Sequence, residues 1–214
     1  MLRRLARRDH HAAAGRLAAA ERSAELLAQE VGATIVAVTD WKGGVYNKAG
    51  LDVVKLLEYA QQKKTVEGFP GAEPIGNADL FKLDVDVLIP AALENQITSE
   101  NAPHIKAKVI VEGANGPTTP DANKLLHERG VFIVPDILAN SSGVTTSYFE
   151  WVQDRYGYFW TEKEVNERLE AKMCEAFNAV LQNSIKYSVD MRTAAYIVAI
   201  SRVATVTRMR GMYA

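Results

Sequence analysis

Two short apolar runs, Val109–Val111 and Val131–Val134, bracket a helix-like segment that ends at Gly130. Parallel strands need a crossover between them, and a helix is the usual crossover, so this order constrains the fold more than any other stretch. Each run breaks off into small and polar residues: Glu112-Gly113-Ala114-Asn115 after the first, Asp136-Ile137-Leu138-Ala139-Asn140 after the second. In open α/β sheets ligands bind beyond the carboxyl ends of the strands. Asn115 and Asn140 are therefore expected to point into one crevice.

The same alternation runs through the preceding residues. Leu17, Ala20, Ala24, Leu27 and Val31 recur at helical steps and Gly32 supplies a stop. Thr34–Val38 (TIVAV) reads as a strand covered on both faces, ending at Asp40, with a tight turn at Gly43-Gly44. Leu51–Gln62 reads as a helix with Leu51, Val54, Leu56 and Leu57 inward. Thr65–Asn77 is a Gly/Pro-rich connection, and Asn77 is placed to cap a helix over Ala78–Leu83. Val85–Ile89 is a strand halted by Pro90, Thr98–His104 a short helix, and Thr119–Arg129 a helix with Pro120 in its first turn. Strands alternating with helices predict an α/β fold: a Rossmann-like, doubly wound, mostly parallel sheet.

Beyond Val134 the pattern turns helical. Ser142–Tyr156 is the first segment. Thr161 and Glu164 form a capping box ahead of a helix whose Val165, Leu169, Met173, Ala176, Phe177, Val180 and Ser184 share a side. Asp190 caps a last helix through about Met209, in which Ala194–Ile200 is apolar nearly all round and expected to be buried. The expected organisation is a leader over 1–16, a partial dinucleotide-binding domain over 17–156 and a helical segment over 157–214.

The leader carries Arg3, Arg4, Arg7, Arg8 and Arg16 against one acid, Asp9, the composition of a transit peptide or of an unstructured or artefactual start. A net charge of −1 gives no reason to expect nucleic acid as a partner. No apolar run approaches the roughly 20 residues of a membrane span. Cys174, the sole cysteine, allows no internal disulfide, fits a reducing cytoplasmic setting and is expected inside a helix core. His104 and His127 read as surface residues. No acid or histidine pair has metal-ligand spacing, so no metal site is expected.

Asp40 follows a strand, where an acid accepts hydrogen bonds from adenosine ribose hydroxyls; equally, an aspartate there forms the turn before Gly43-Gly44. Lys42, two residues on, favours a 2′-phosphate instead. The glycine fingerprint that should open the unit is missing: its place reads Gly15-Arg16-Leu17-Ala18-Ala19-Ala20, with no strand expected before it. Pro90-Ala91-Ala92 ends a strand with small residues, which either admit a flat ligand or simply end the strand. Asn115 and Asn140 are turn formers by type, while their amides offer both donor and acceptor to a nicotinamide carboxamide. Thr145, Thr146 and Ser147 near a helix start suit a carboxylate or ordinary capping. Glu150-Trp151 reads as packing.

Val38-Thr39-Asp40 with Gly43-Gly44-Val45-Tyr46-Asn47, then GFPGAEPI, DVDVLIPAALENQIT, VEGANGPTTPDA, VPDILAN, GVTTSYFEWVQ and DMRTAAYIVAISRV, resemble the glutamate dehydrogenase family from about Leu26 to the C-terminus. The resemblance implies a hexameric oxidoreductase that interconverts L-glutamate and 2-oxoglutarate plus ammonia with NAD or NADP. It implies Asp40 near the adenosine ribose, and Ala91, Ala92, Asn115 and Asn140 along the dinucleotide cleft. Val144 and Ser147 then face substrate, Ser147 bonding the side-chain carboxylate, which favours glutamate over leucine, valine or phenylalanine. The family reads Asn-Ala-Gly-Gly where this chain has Asn140-Ser141-Ser142-Gly143, which crowds the nicotinamide side. The family's catalytic lysine and aspartate belong to a substrate domain that nothing before Leu17 resembles. No catalytic residue is therefore expected in this chain, and it is expected to be inactive alone. The other reading is a non-catalytic nucleotide-binding or partner-docking remnant.

Overall fold

The computed structural model describes residues 32–211 and the backbone of His11–Gly15. The helix expected over Leu17–Val31 lies outside the described residues. The chain divides into two compact units, one running to Ile133 and one from Val134.

The first unit is built on a seven-stranded sheet, which runs in the order β4-β3-β2-β1-β5-β6-β7. Its strands are β1 (His11–Gly15), β2 (Thr34–Thr39), β3 (Gly44–Tyr46), β4 (Glu73–Ile75), β5 (Val87–Pro90), β6 (Val109–Val111) and β7 (Phe132–Val134). β1 pairs parallel with both β2 and β5, and β5 with β6. β3 and β4 add an antiparallel edge beyond β2. The sheet is thus doubly wound and mostly parallel, as the alternation of runs predicts.

β2 shows why. Ile35 and Val38 join a core with Val45, Val53, Leu56, Ala60 and Val66. Val36 and Ala37 join another with Leu88, Ile97, Ile110, Ala122 and Leu126. A strand feeding two cores has no solvent face, hence its unbroken apolar sequence. Each fully buried Leu or Ile contributes about 2 kcal/mol of hydrophobic stabilisation.

Three strands differ from the sequence reading. The expectation that no strand precedes Gly15 fails: His11–Gly15 forms β1 at the centre of the sheet. Alanine is a weak strand former, and pairing on both sides overrides that preference. Gly44–Tyr46, of which only Gly44 was expected in a turn, is a strand, and Glu73–Ile75 is a strand within the Gly/Pro-rich connection. Gly44 permits the first: a Cβ there would lie 2.6 Å from the Val38 carbonyl oxygen, so only glycine lets β3 close on β2.

Among the described residues, the first unit's helices are α1 (Val53–Lys63), α2 (Asn77–Leu80) and α3 (Pro120–Glu128), with a 3₁₀ turn at Ala102–His104 in place of the longer helix expected there. Asp52 caps α1, which buries Val53, Leu56 and Ala60; Val54, expected inward, is exposed. Pro120 opens α3, in the first turn as read, while Thr119, read as its first residue, caps it. Asn77 does not cap α2. Gly76 holds that position, and the Asn77 amide donates to the carbonyl of Asp40 at 3.0 Å.

The second unit comprises α4 (Asp136–Ala139), α5 (Ser141–Tyr156), α6 (Glu162–Tyr187) and α7 (Met191–Arg210). Asn140 therefore stands between two helices rather than at a strand tip. Both halves of the Thr161/Glu164 capping box form, and Asp190 caps α7 through the N–H groups of Arg192 and Thr193. The expected stripe of α6 is its less exposed side, with Val180 buried. Cys174 is exposed, on the other side of α6. Along α7 only Met191, Ala194 and Ala195 are buried, whereas Tyr196 and Ile200 are exposed, so the all-round apolar segment is not all-round buried. Apolar composition records burial capacity; which side is covered depends on the neighbours.

Candidate functional site

In the first unit the chain reverses direction across the sheet at β1, with β2 on one side and β5 on the other. Gly15, the last residue of β1, is in register with Thr39 of β2 and Pro90 of β5. A crevice belongs at such a switch point, outside the carboxyl ends. A cleft of about 250 Å³ is found there, and Thr39, Asp40, Pro90, Ala91 and Ala92 are among its walls. Three of the residues singled out from sequence, Asp40, Ala91 and Ala92, are thus brought together.

Their local geometry follows from the backbone. β5 ends at Pro90, whose carbonyl accepts from the N–H groups of both Gly113 and Ala114 at 3.1 and 3.0 Å. That ties the turn after β6 to the tip of β5. Gly113 makes the approach possible, since a Cβ there would meet the Ala91 Cβ at 3.1 Å. Asp40 is buried. Its Oδ1 accepts from the N–H groups of Lys42 (2.7 Å) and Gly43 (3.3 Å), and its Oδ2 from Val66 N–H at 2.7 Å. The aspartate thus forms the turn that the sequence left as one of two alternatives, and it also faces the cleft.

Sequence reading missed several wall residues: Trp41, Asn77, Leu93 and Gln96. Trp41 is 68% exposed and Leu93 52% exposed, unusual for large apolar side chains beside a strand end. The one signal in sequence was an aromatic residue directly after Asp40. Asn115 is exposed in the turn after β6.

Asn140, Val144 and Ser147 belong to the second unit. Asn140 is half-buried; its N–H donates to the Asp136 carbonyl at 3.0 Å and its own carbonyl accepts from Gly143 at 3.2 Å. Val144 and Ser147 are exposed on α5 together with Tyr148 and Trp151, at spacings that place all four on one side of the helix. Tyr148 and Trp151 stack with centroids 5.8 Å apart. Thr145 and Thr146 bond back to the carbonyls of Ser141 and Ser142, so their hydroxyls serve the helix. A larger crevice of about 310 Å³ between α4, α5, α6 and α7 has Thr145 in its walls but not Asn140, Val144 or Ser147. Among the described residues no group of three or more His, Cys, Asp or Glu gathers to hold a metal, and no helix is long and apolar enough to cross a membrane.

Residues 14–211 match the family model for glutamate/leucine/phenylalanine/valine dehydrogenases. The chain is 54% identical over 191 residues to a glutamate dehydrogenase of Thermotoga maritima, covering 89% of this chain and 46% of that one. It is 49% identical over 182 residues to an NAD-specific glutamate dehydrogenase of Staphylococcus aureus, covering 85% and 44%. Among solved structures, the hetero-hexameric glutamate dehydrogenase of Thermus thermophilus in a leucine-bound form superposes with a TM-score of 0.89 at 31% identity, over 97% of this chain and 49% of that one. The enzyme of Peptoniphilus asaccharolyticus gives 0.80 at 38% identity, over 95% and 47%. The chain spans about half the length of the relatives it matches.

Proposed function

The chain belongs to the glutamate/leucine/phenylalanine/valine dehydrogenase family, and on that premise we propose that it is the dinucleotide-holding part of an NAD(P)-dependent oxidoreductase acting on L-glutamate. The reaction interconverts L-glutamate with 2-oxoglutarate and ammonia. A bound nicotinamide would exchange hydride with the substrate α-carbon. The observation that carries this reading is the cleft over the end of β1, where Asp40, Ala91 and Ala92 meet.

In this reading the cleft takes the adenosine half of the cofactor. Ala91 and Ala92 supply a flat, small-residue floor, and Asp40 shapes the ribose end. Asn115 and Asn140 offer amides to the nicotinamide half. Ser147 bonds the side-chain carboxylate of the substrate, and Val144 packs beside it. The assembly is a homo-oligomer, hexameric as the family resemblance implies, and works in the cytoplasm.

Among the described residues, Asp40 is the one ionisable side chain on the cleft wall, and both its oxygens already accept backbone N–H groups. The cleft therefore holds and orients its ligand rather than moving protons. Titration of NAD and NADP into the full chain by calorimetry tests the reading. Saturable binding near the millimolar range, about −4 kcal/mol, is expected without the glycine fingerprint. No saturable heat with either dinucleotide overturns it. Glutamate with either cofactor is expected to give negligible NAD(P)H from this chain alone; vigorous production would overturn the assignment of holding without proton transfer.

A further inference from the structure

We infer that the crevice within the second unit binds a short aliphatic carboxylate, its hydrocarbon tail lying between α6 and α7 and its head meeting Arg202. The site owes nothing to the dinucleotide cleft, which belongs to the first unit.

The crevice is open because of what its helices lack. Met173, Ala176 and Val180 stand at three- and four-residue steps on α6, and Ala195 and Ala199 stand one turn apart on α7. An alanine side chain ends at Cβ, so at three of these five positions neither helix reaches across, and about 310 Å³ stays unfilled. That is the lower end of the range for small-molecule sites, about 300–1,000 Å³. Ser141 and Thr145 of α5 also line it, but their hydroxyls are engaged. Ser141 Oγ donates to the Leu138 carbonyl at 2.7 Å, and Thr145 Oγ1 to the Ser141 carbonyl at 2.8 Å. Neither offers a donor to a ligand, so the interior suits hydrocarbon and penalises a polar group placed there.

The charged walls decide the head. They are Lys172, Glu175 and Arg202, two cations against one acid. Lys172 bonds Glu175 at 2.9 Å, which satisfies that acid from its own helix. The Arg202 guanidinium is exposed and forms no ion pair among the described residues. It follows Ala199 by three residues on the same side of α7, so a tail laid along Ala199 carries its head to the guanidinium. The planar fork of an arginine matches the two oxygens of a carboxylate. An apolar interior with a net positive rim is complementary to an anionic amphiphile and rejects a cationic one.

The test uses the full chain with isotope-labelled methionine methyl groups, titrated with octanoate, octylammonium and octanol and followed by NMR. Octanoate is expected to bind saturably and to shift the Met173 methyl, while that of Met209, 81% exposed and away from the crevice walls, stays in place. Octylammonium should bind at least about tenfold more weakly. Hexanoate should bind more weakly than octanoate by up to about fourfold for each methylene removed. Arg202→Gln, at an exposed position, should weaken octanoate at least about fivefold and leave octanol within about twofold, and Arg202→Lys should retain part of the difference. Ala199→Phe should abolish binding of both; if circular dichroism shows that variant unfolded, the Met173 shift and Arg202→Gln decide. No saturable shift at Met173, octylammonium binding as tightly as octanoate, or octanoate affinity unchanged in Arg202→Gln overturns the inference.

Discussion

Arg192 Nη1 lies 2.7 Å from Asp136 Oδ1, which joins the first residue of α4 to the second residue of α7 across 56 positions of sequence. Each side chain is about one-fifth exposed, at 19% and 19%. The pair matters to the candidate site because the carbonyl of Asp136 accepts from Asn140 N–H, so the ion pair stands behind the turn that carries Asn140. A pair with this burial falls between exposed bridges, worth up to about 1 kcal/mol, and buried ones, whose breakage costs several. Arg192→Ala is expected to destabilise the chain by about 1–3 kcal/mol, read as a lower urea midpoint. Arg192→Lys should recover part of the loss.

Asp40 presents a different dependence. Val66 is fully buried, and its N–H has Asp40 Oδ2 as acceptor. Asp40→Ala strands that donor away from water, at a cost of about 2–3 kcal/mol in urea denaturation. Asp40→Asn keeps one oxygen but sets an amide N–H₂ where the second acceptor stood, so an intermediate loss is expected.

Thr118 carries the opposite expectation. Its Oγ1 is buried without a hydrogen-bond partner among the described residues. Its backbone contact, the bridge to Ile97, does not use the side chain. Thr118→Val removes an unsatisfied hydroxyl at nearly constant shape, so stability should hold or rise by up to about 1 kcal/mol. A thermal midpoint several degrees lower would contradict this.

Glu164 links the start of α6 to pH. The Thr161 N–H, and after it the Thr161 hydroxyl, hold its carboxyl below the usual glutamate range. A depressed folded pKa means that its contribution is present above the ordinary glutamate pKa and fades as pH falls through the lower, folded value. Glu164→Gln should therefore have a lower thermal midpoint than the parent at neutral pH, and the two curves should converge in acid. A constant gap between them at all pH values would refute the linkage.

Ala91 tests the cleft itself. It is half-buried, packs against Ile89 and lines the cleft. Ala91→Phe should fill the cleft and weaken NAD and NADP by about tenfold or more in calorimetry, with the urea midpoint within about 1 kcal/mol of the parent. Unchanged dinucleotide affinity would place the cofactor elsewhere.

What was readable in advance divides cleanly by range. β2, β5 and β6 are short apolar runs, and a run needs no partner to declare that both its faces are covered. The Thr161/Glu164 box and the Asp190 cap are spacings within a single turn, and both formed as read. Asp40, Ala91 and Ala92 were legible as cleft-wall residues because strand ends mark the crevice of such a sheet. Trp41, Asn77 and Gln96 were not, since nothing in their own neighbourhood distinguishes a cleft wall from a turn.

The amino-acid order by itself determined the alternation of buried strand and helix, the family and the strand tips at which a ligand belongs, because these rest on local periodicity and on long motifs. Tertiary structure decided that an alanine-rich stretch is the central strand β1, that Gly44–Tyr46 and Glu73–Ile75 pair as an edge, and that Asp40 bonds Val66. Each of those outcomes depends on a backbone partner many residues away. A hydrogen-bond donor that arrives from so far along the chain leaves no trace in the neighbourhood of the group that accepts it.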